Sequence, residues 1–508
     1  MYTCAHCGKP IREGERPDYS ALKGLVHHDC DVRYYQELVQ AGKASTTTPG
    51  LGWVDELRAV VGNPNVKVAY SERAYYFQDH STDFIDLDHG YAPDVVVVPH
   101  SEEEVSGVVK LASRLHVPIT PRGAGTGFVG GAVALKGGII LDLSEMNRIL
   151  GVDEGNYHVT AEAGATILDI EREVNKKGLT IGFDPGSAPV ASIGGSVSTD
   201  QIGGDGWYSY LGSMRQRVLS LRAVLSDGSI VSTGRPLDRP TSTFNLSHLF
   251  IAAEGTMGIV TQVTVKALPI PEAKELHIVV FDDFKAASKA MMEMQRIGLW
   301  LGIHHCVDVV RSEPAASESE VTSFGMLVLG FAGPKEVVAA QRQRAMSICS
   351  SNGGVDAGKQ AATDFWDQHH QAFPTNLSNN RVYGMESVTL PLDKIMIVYY
   401  EWRSIALRHG LQWHGGGLNL MPKQLWVMYA FENDEAGLKK KTAAMEEMMK
   451  YATEAGATIS AVHGIGFLKK KYYALEFRDD LNLVALMKRV KVSLDPNNIM
   501  NPGKVVFD

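Results

Sequence analysis

Three glycine-rich stretches and two histidines carry most of the chemistry this sequence can do. The first stretch, Pro121-Arg122-Gly123-Ala124-Gly125-Thr126-Gly127, follows the apolar run Val117-Pro118-Ile119-Thr120, which reads as a short strand. Successive backbone N–H groups in such a loop can converge on an anion, because no Cβ stands in the way. Gly125-x-Gly127-x-x-Gly130 also matches the dinucleotide fingerprint, but that fingerprint needs a helix directly after it. Here Gly131 to Gly138 read as more loop and Ile139-Ile140-Leu141-Asp142-Leu143 as a strand, so the βαβ context fails. No Gly-Lys-Ser/Thr follows, which excludes a P-loop. Taken alone, this loop reads equally well as a plain turn. The second stretch comprises Asp184-Pro185-Gly186-Ser187, Ile193-Gly194-Gly195-Ser196-Val197-Ser198-Thr199 and Gly203-Gly204-Asp205-Gly206. The third is Glu254-Gly255-Thr256-Met257-Gly258-Ile259-Val260.

His463, in His463-Gly464-Ile465-Gly466, is a candidate general base, since an ordinary imidazole with a pKa near ~6.5 accepts a proton at neutral pH. Its bland alternative is a turn residue bonded to backbone. His414 opens His414-Gly415-Gly416-Gly417-Leu418-Asn419 and has a purely structural alternative of its own. A third cluster sits apart. Cys4-x-x-Cys7 and His27-x-x-Cys30 have the pairing of a tetrahedral zinc site of zinc-ribbon or LIM type, with His28 as an alternative ligand. Three free thiols and a chance histidine pair are the alternative. Four protein ligands would make the metal structural, and a unit this small would need it to fold.

The surrounding elements follow from pattern. Ser101 with Glu104 forms a capping box for a helix ending near Leu115. Strands around 221–225 and 230–233 are joined by the turn Ser226-Asp227-Gly228-Ser229, and a helix runs from near Asp434 to before Gly456. Lys439-Lys440-Lys441 and Lys469-Lys470-Lys471 are expected on solvated surfaces. At 508 residues, 44% apolar and 21% charged, the chain is globular and too long for one core. Its net charge of -9 argues against a nucleic-acid partner. The five cysteines are too few for a disulfide framework, and Cys306 and Cys349 read as reduced and buried. No run approaches the ~18 apolar residues of a membrane span, and the opening residues do not read as a secretory leader. The expected compartment is the cytoplasm.

The ordered set of motifs resembles the FAD-linked oxidase family with the PCMH-type (vanillyl-alcohol-oxidase) flavin fold, most similar to its D-lactate dehydrogenase and glycolate oxidase flavin-subunit branch. The C-terminal runs His463-Gly464-Ile465-Gly466 and Leu494-Asp495-Pro496-Asn497-Asn498-Ile499-Met500-Asn501-Pro502-Gly503-Lys504 agree. The likeness spans Ala92 to Lys504. It implies an α+β architecture: a two-lobed FAD-binding domain over 53–270, an α+β cap over 271–455, and a segment, 456–508, returning to the flavin. A zinc-knuckle-like module (1–44) and a linker (45–52) would precede them. It further implies noncovalent FAD, with Pro121 to Thr126 and Gly127 at the pyrophosphate. Pro185, Gly186, Gly194, Gly195 and Ser198 would line the cofactor. Glu254, Gly258 and Ile259 would meet its adenine–ribose end, and Asn501 its ring. His463, His414 and Asn419 would be catalytic.

The departures from that family matter. Related 2-hydroxy-acid enzymes hold a divalent metal through two histidines and a glutamate. Here the second histidine position is Met421 and the glutamate position is Val462, so no active-site metal is expected. The carboxylate clamps of relatives are replaced by His369 and Met385, with Arg381 nearby as a substitute. Three readings follow: a dehydrogenase for a 2-hydroxy acid with an altered clamp, a flavoenzyme retuned to a neutral alcohol or other donor, or a catalytically reduced subunit. Electrons would pass to an iron–sulfur subunit, an electron-transferring flavoprotein, a quinone system or oxygen. The sequence leaves oligomeric state open.

Overall fold

A computed structural model describes residues 52–81, 91–203, 206–238, 241–310, 322–368, 381–419 and 423–505, with the backbone of short strands within 2–27. Cys4, Cys7 and Cys30 lie outside the described residues, and His27 contributes only strand backbone. The zinc-module expectation therefore falls outside them too.

The described residues build three main sheets. In the first, Val95–Val97, Ile139–Asp142 and Ile119–Arg122 run parallel, and Val66–Lys67 pairs antiparallel at one edge. Helices Val54–Val61 and Glu102–Leu115 bury their apolar stripes against it, through Leu57, Val105, Val108 and Val109. Parallel strands covered on both faces need continuous apolar runs, which Val95-Val96-Val97 and Ile139-Ile140-Leu141 supply. Pro121 has no N–H to give, and its strand stands at the opposite edge of this sheet. That edge is covered by the C-terminal segment: Ile119 N donates to Ile499 O (2.7 Å) and Asn501 N donates to Ile119 O (2.7 Å).

The second sheet has five antiparallel strands, ordered Ile230–Gly234, Val218–Val224, Ile259–Lys266, His158–Glu162, Ile149–Asp153. Helices Ile167–Asn175 and Ile193–Ser198 pack on it. The small-residue stretch at 193–199 is thus largely helical rather than loop. Ser192 caps it, accepting from Gly195 N at 3.2 Å. The capping box at Ser101 forms by half. Ser101 Oγ accepts from Glu104 N (3.2 Å), but the Glu104 carboxylate accepts from His100 N (2.7 Å).

The third sheet has seven antiparallel strands between Ala273 and Glu432. Its strand Gln424–Glu432 shows the alternation clearly. Leu425, Val427, Tyr429 and Phe431 enter the core with helices Ile395–Arg408 and Glu435–Glu454, while Gln424, Trp426 and Met428 face the first two sheets' side. Within the helix Glu435–Glu454, Lys439 pairs with Glu435 at 2.7 Å on the surface, but Lys441 is buried, against expectation. Among the described residues, no helix is long and apolar enough to cross a membrane.

Candidate active site

A cavity of about 550 Å³ runs between the glycine loops and the open face of the seven-stranded sheet. One wall is rich in glycine and small residues: Pro121 through Gly127, Pro185, Gly186, Gly194, Gly195 and Ser198. A Cβ on Gly123 would collide with the Ser192 hydroxyl, and one on Gly194 would lie 2.9 Å from Ala163 O. Side chains on this wall would close the space that backbone amides need to reach a ligand. The loop after the first strand stays irregular to Gly138 before strand Ile139–Asp142, as the failed helix requirement implies.

The other wall is made by side chains from several strands: His305 and Val307, Met326, Met385, Asn419, and Gln424, Trp426 and Met428. Helix Gly358–Gln368 adds Phe365 and Gln368. The polar groups there are few. Asn419 Nδ2 donates to Gln424 Oε1 at 3.0 Å, while its Oδ1 is buried with no partner.

His463 stands where the two walls meet. Its Nδ1 is 3.4 Å from Ser387 Oγ, and its ring leans on Phe128 with centroids 4.7 Å apart. Burial first, then the positive charge of Lys469 and the ring of His80, push its pKa down from the usual imidazole range to about 3. The imidazole is therefore neutral, and the same burial that keeps it so weakens it as a proton acceptor while the cavity is empty.

Lys469 is the principal correction to the surface reading of the lysine run. It is buried, and its Nζ lies 3.0 Å from Glu386 Oε2, also buried, beside Ser387 on the edge strand Arg381–Thr389. A run of three lysines signals a solvated face only if all three share that face. Here Lys469 precedes the 3-10 turn Lys470–Tyr472 and points inward, while Lys471 pairs with Glu446 (2.7 Å) on the surface.

Glu254 lines the cavity, but its carboxylate is turned toward the histidine loop. It accepts from Ile465 N (2.6 Å) and Gly466 N (2.9 Å). Burial pushes this carboxyl up to about 7, with Asp79 adding to the rise; the two amides and Lys504 pull the other way. Gly464, at φ +80°, allows the turn, and a Cβ there would meet Glu254 Oε1 at 2.6 Å.

The remaining expected site residues scatter. Asn501 does not line the cavity: its Nδ2 donates to Gly131 O (3.0 Å) and Glu254 O (2.7 Å) behind it. Ile259 is fully buried in the core and Gly258 packs near Phe250 and Val224, away from the cavity. His414 stacks edge-on to Tyr383 at 4.7 Å, outside the lining. His369 and Met421 lie outside the described residues, as does the Arg381 side chain. Among the described residues, no three His, Cys, Asp or Glu side chains gather as a metal site. Sequence reasoning missed Ser192, Phe128, Ser387, Glu386 and Trp426. The period-two alternation of strands 381–389 and 424–432 was the signal for Ser387 and Trp426, which face each other across the pair; Glu386 points to the opposite face.

A glycine-rich wall, a roomy cavity and a histidine where its two walls meet fit FAD, whose diphosphate needs amides and whose ring needs a flat apolar slot. The comparisons agree. Residues 93–234 match the FAD binding domain model, and residues 270–505 match the model for the C-terminal domain of FAD linked oxidases. A D-lactate dehydrogenase of Anaerostipes hadrus is 30% identical over 446 residues, covering 82% of this chain and 90% of its own. The glycolate oxidase subunit GlcD of Bacillus subtilis is 28% identical over 463 residues, covering 89% and 96%. In fold, p-cresol methylhydroxylase aligns at TM-score 0.74 with 18% identity, covering 91% of this chain and 99% of that one. With the cofactor cradle and both family segments in place, the chain belongs to the FAD-linked oxidases.

Proposed function

We propose that the protein is an FAD-dependent dehydrogenase that oxidises the CH–OH group of a small 2-hydroxy acid, of D-lactate or glycolate type or a bulkier analogue. The observation that carries this reading is that His463 lines the same cavity as the glycines Gly123, Gly125, Gly194 and Gly195. The names of the D-lactate dehydrogenase and glycolate oxidase relatives support the substrate class. FAD, when bound, supplies the acceptor for the hydride that leaves the substrate carbon. His463 takes the hydroxyl proton, so one C–H and one O–H bond are exchanged for a carbonyl. Asn419, with its free Oδ1, and Gln424 orient the hydroxyl or carboxyl end. FAD is held noncovalently in this reading, as the family resemblance implies. Reducing equivalents then pass to a separate redox partner.

A second reading, a neutral alcohol or other uncharged donor, is favoured by the apolar lining. Met326, Met385, Trp426, Met428 and Val462 face the cavity, and among its described lining residues the one cationic side chain is Arg122. The guanidinium of Arg122 is occupied by Gln78 O (2.9 Å) and Ala132 O (3.3 Å). Anaerobic bleaching of the bound flavin decides between them. Reduction by D-lactate, glycolate or aromatic 2-hydroxy acids supports the first reading. Reduction by neutral alcohols alone supports the second. A flavin that no member of the panel reduces ends both and leaves a subunit with a support role.

A further inference from the structure

Buried backbone carbonyls need donors, and the loops that line this cavity carry several. Behind this cradle, four successive carbonyls are each met by a side chain. Lys504 Nζ donates to Gly130 O and to Val133 O (2.7 Å), Asn501 Nδ2 to Gly131 O (3.0 Å), and Arg122 Nη1 to Ala132 O (3.3 Å). The third glycine stretch is served from the same side. Asn501 Nδ2 also donates to Glu254 O (2.7 Å), and Lys491 Nζ donates to Thr256 O (2.6 Å). Lys504, Asn501 and Lys491 are 1%, 1% and 3% exposed. Asp495 fixes the segment that carries them, accepting from Ile499 N (3.1 Å), Met500 N (2.8 Å) and Lys491 Nζ.

We propose that Lys504 and Asn501 are positioning residues for FAD: they grip the rear of two cofactor loops, 130–133 and 254–256, and preset the cradle without touching the cofactor. This differs from a place for Asn501 beside the flavin ring. It rests on the FAD reading of the cavity and adds to it what holds the empty loops in register. Preorganisation of this kind lowers the ordering cost of binding.

The test uses the full chain in apo and FAD-loaded forms. Lys504→Met keeps the length of the stem and removes the donors. Asn501→Asp keeps the shape, tolerates the positive φ of 42°, and turns a donor into an acceptor facing two carbonyls. Each is measured for FAD Kd by quenching of flavin fluorescence, and for melting temperature with and without FAD. Hydrogen bonds from charged groups are worth about 1.5–3 kcal/mol, so Kd is expected to rise by about tenfold or more. The loaded protein should also lose more melting temperature than the apoprotein. Lys504→Arg, which keeps a buried donor, should restore most of the affinity and guards against a Met variant that does not fold. A Kd within twofold of the parent in both variants, with equal losses in apo and loaded forms, overturns the proposal. A parent chain that binds no FAD in the same assay would instead overturn the cofactor reading.

Discussion

The two walls of the cavity recognise by opposite means. On the proposed reading, the glycine-rich wall binds the cofactor through main chain, so what matters there is which side chains are missing. The substrate wall works through side chains delivered by strands far apart in sequence, from His305 to Met428. Main-chain recognition is fixed by local φ and by glycine spacing, whereas side-chain recognition depends on register across a sheet. A change on one wall should therefore leave the other nearly intact, and His463, at their junction, is the point where this separation is most easily tested.

The largest effect expected is that of His463→Ala. Loss of a positioned base lowers the rate of anaerobic flavin reduction by ~10²–10⁴-fold. FAD Kd should stay at the parental value, and a matching fall in cofactor affinity would show that the walls are not separable. Lys469→Met comes next, since it strands Glu386 as a buried, unpaired charge. Breaking such a pair costs about 3–5 kcal/mol of folding stability, read from urea unfolding. The double change Lys469→Met with Glu386→Leu should recover most of it, and failure to recover would mean that the pair itself is not the source.

Gly123→Ala acts on the cofactor wall alone. Its methyl group displaces the Ser192 hydroxyl, the cap of helix Ile193–Ser198. A lost cap costs about 1 kcal/mol of helix stability, and where that whole cost falls on the loaded form FAD affinity should drop by up to about fivefold. The reduction rate per bound flavin should be unchanged. A pH slope is also expected. Glu254 has its folded pKa raised to about 7 from the ordinary glutamate value of 4.5. Its contribution to apoprotein stability is thus greatest below the lower value and is lost as pH rises through the higher one. Melting temperature followed across that window should fall less steeply in Glu254→Gln than in the parent.

The same contrast explains what could be read in advance. The glycine loops were legible because spacing within a single loop states the requirement, and the absence of a helix after Gly130 already ruled out the βαβ alternative. The strand at 139–142 was legible from the unbroken apolar run Ile139-Ile140-Leu141, although its parallel pairing was not. The partners of those loops were not. Nothing local to Asn501 says that its amide serves Gly131 and Glu254, and nothing in Lys469-Lys470-Lys471 says which lysine turns inward. Ile259 sat next to a cofactor stretch in sequence but follows strand alternation into the core, where Gly258 cannot bring it back. Side-chain roles that depend on pairing across hundreds of residues are invisible to spacing.

That distance has a consequence for how the molecule assembles. The bond from Lys504 to Gly130 joins residues 374 positions apart, and the whole seven-stranded sheet lies between them in sequence. Contacts of such separation form late, after the intervening chain has organised, because closing so long a loop costs entropy before it is rewarded. On the proposed role of Lys504, a chain that has formed the glycine loops but not this closure would hold flavin poorly, and uptake of the yellow colour during refolding would report the closure.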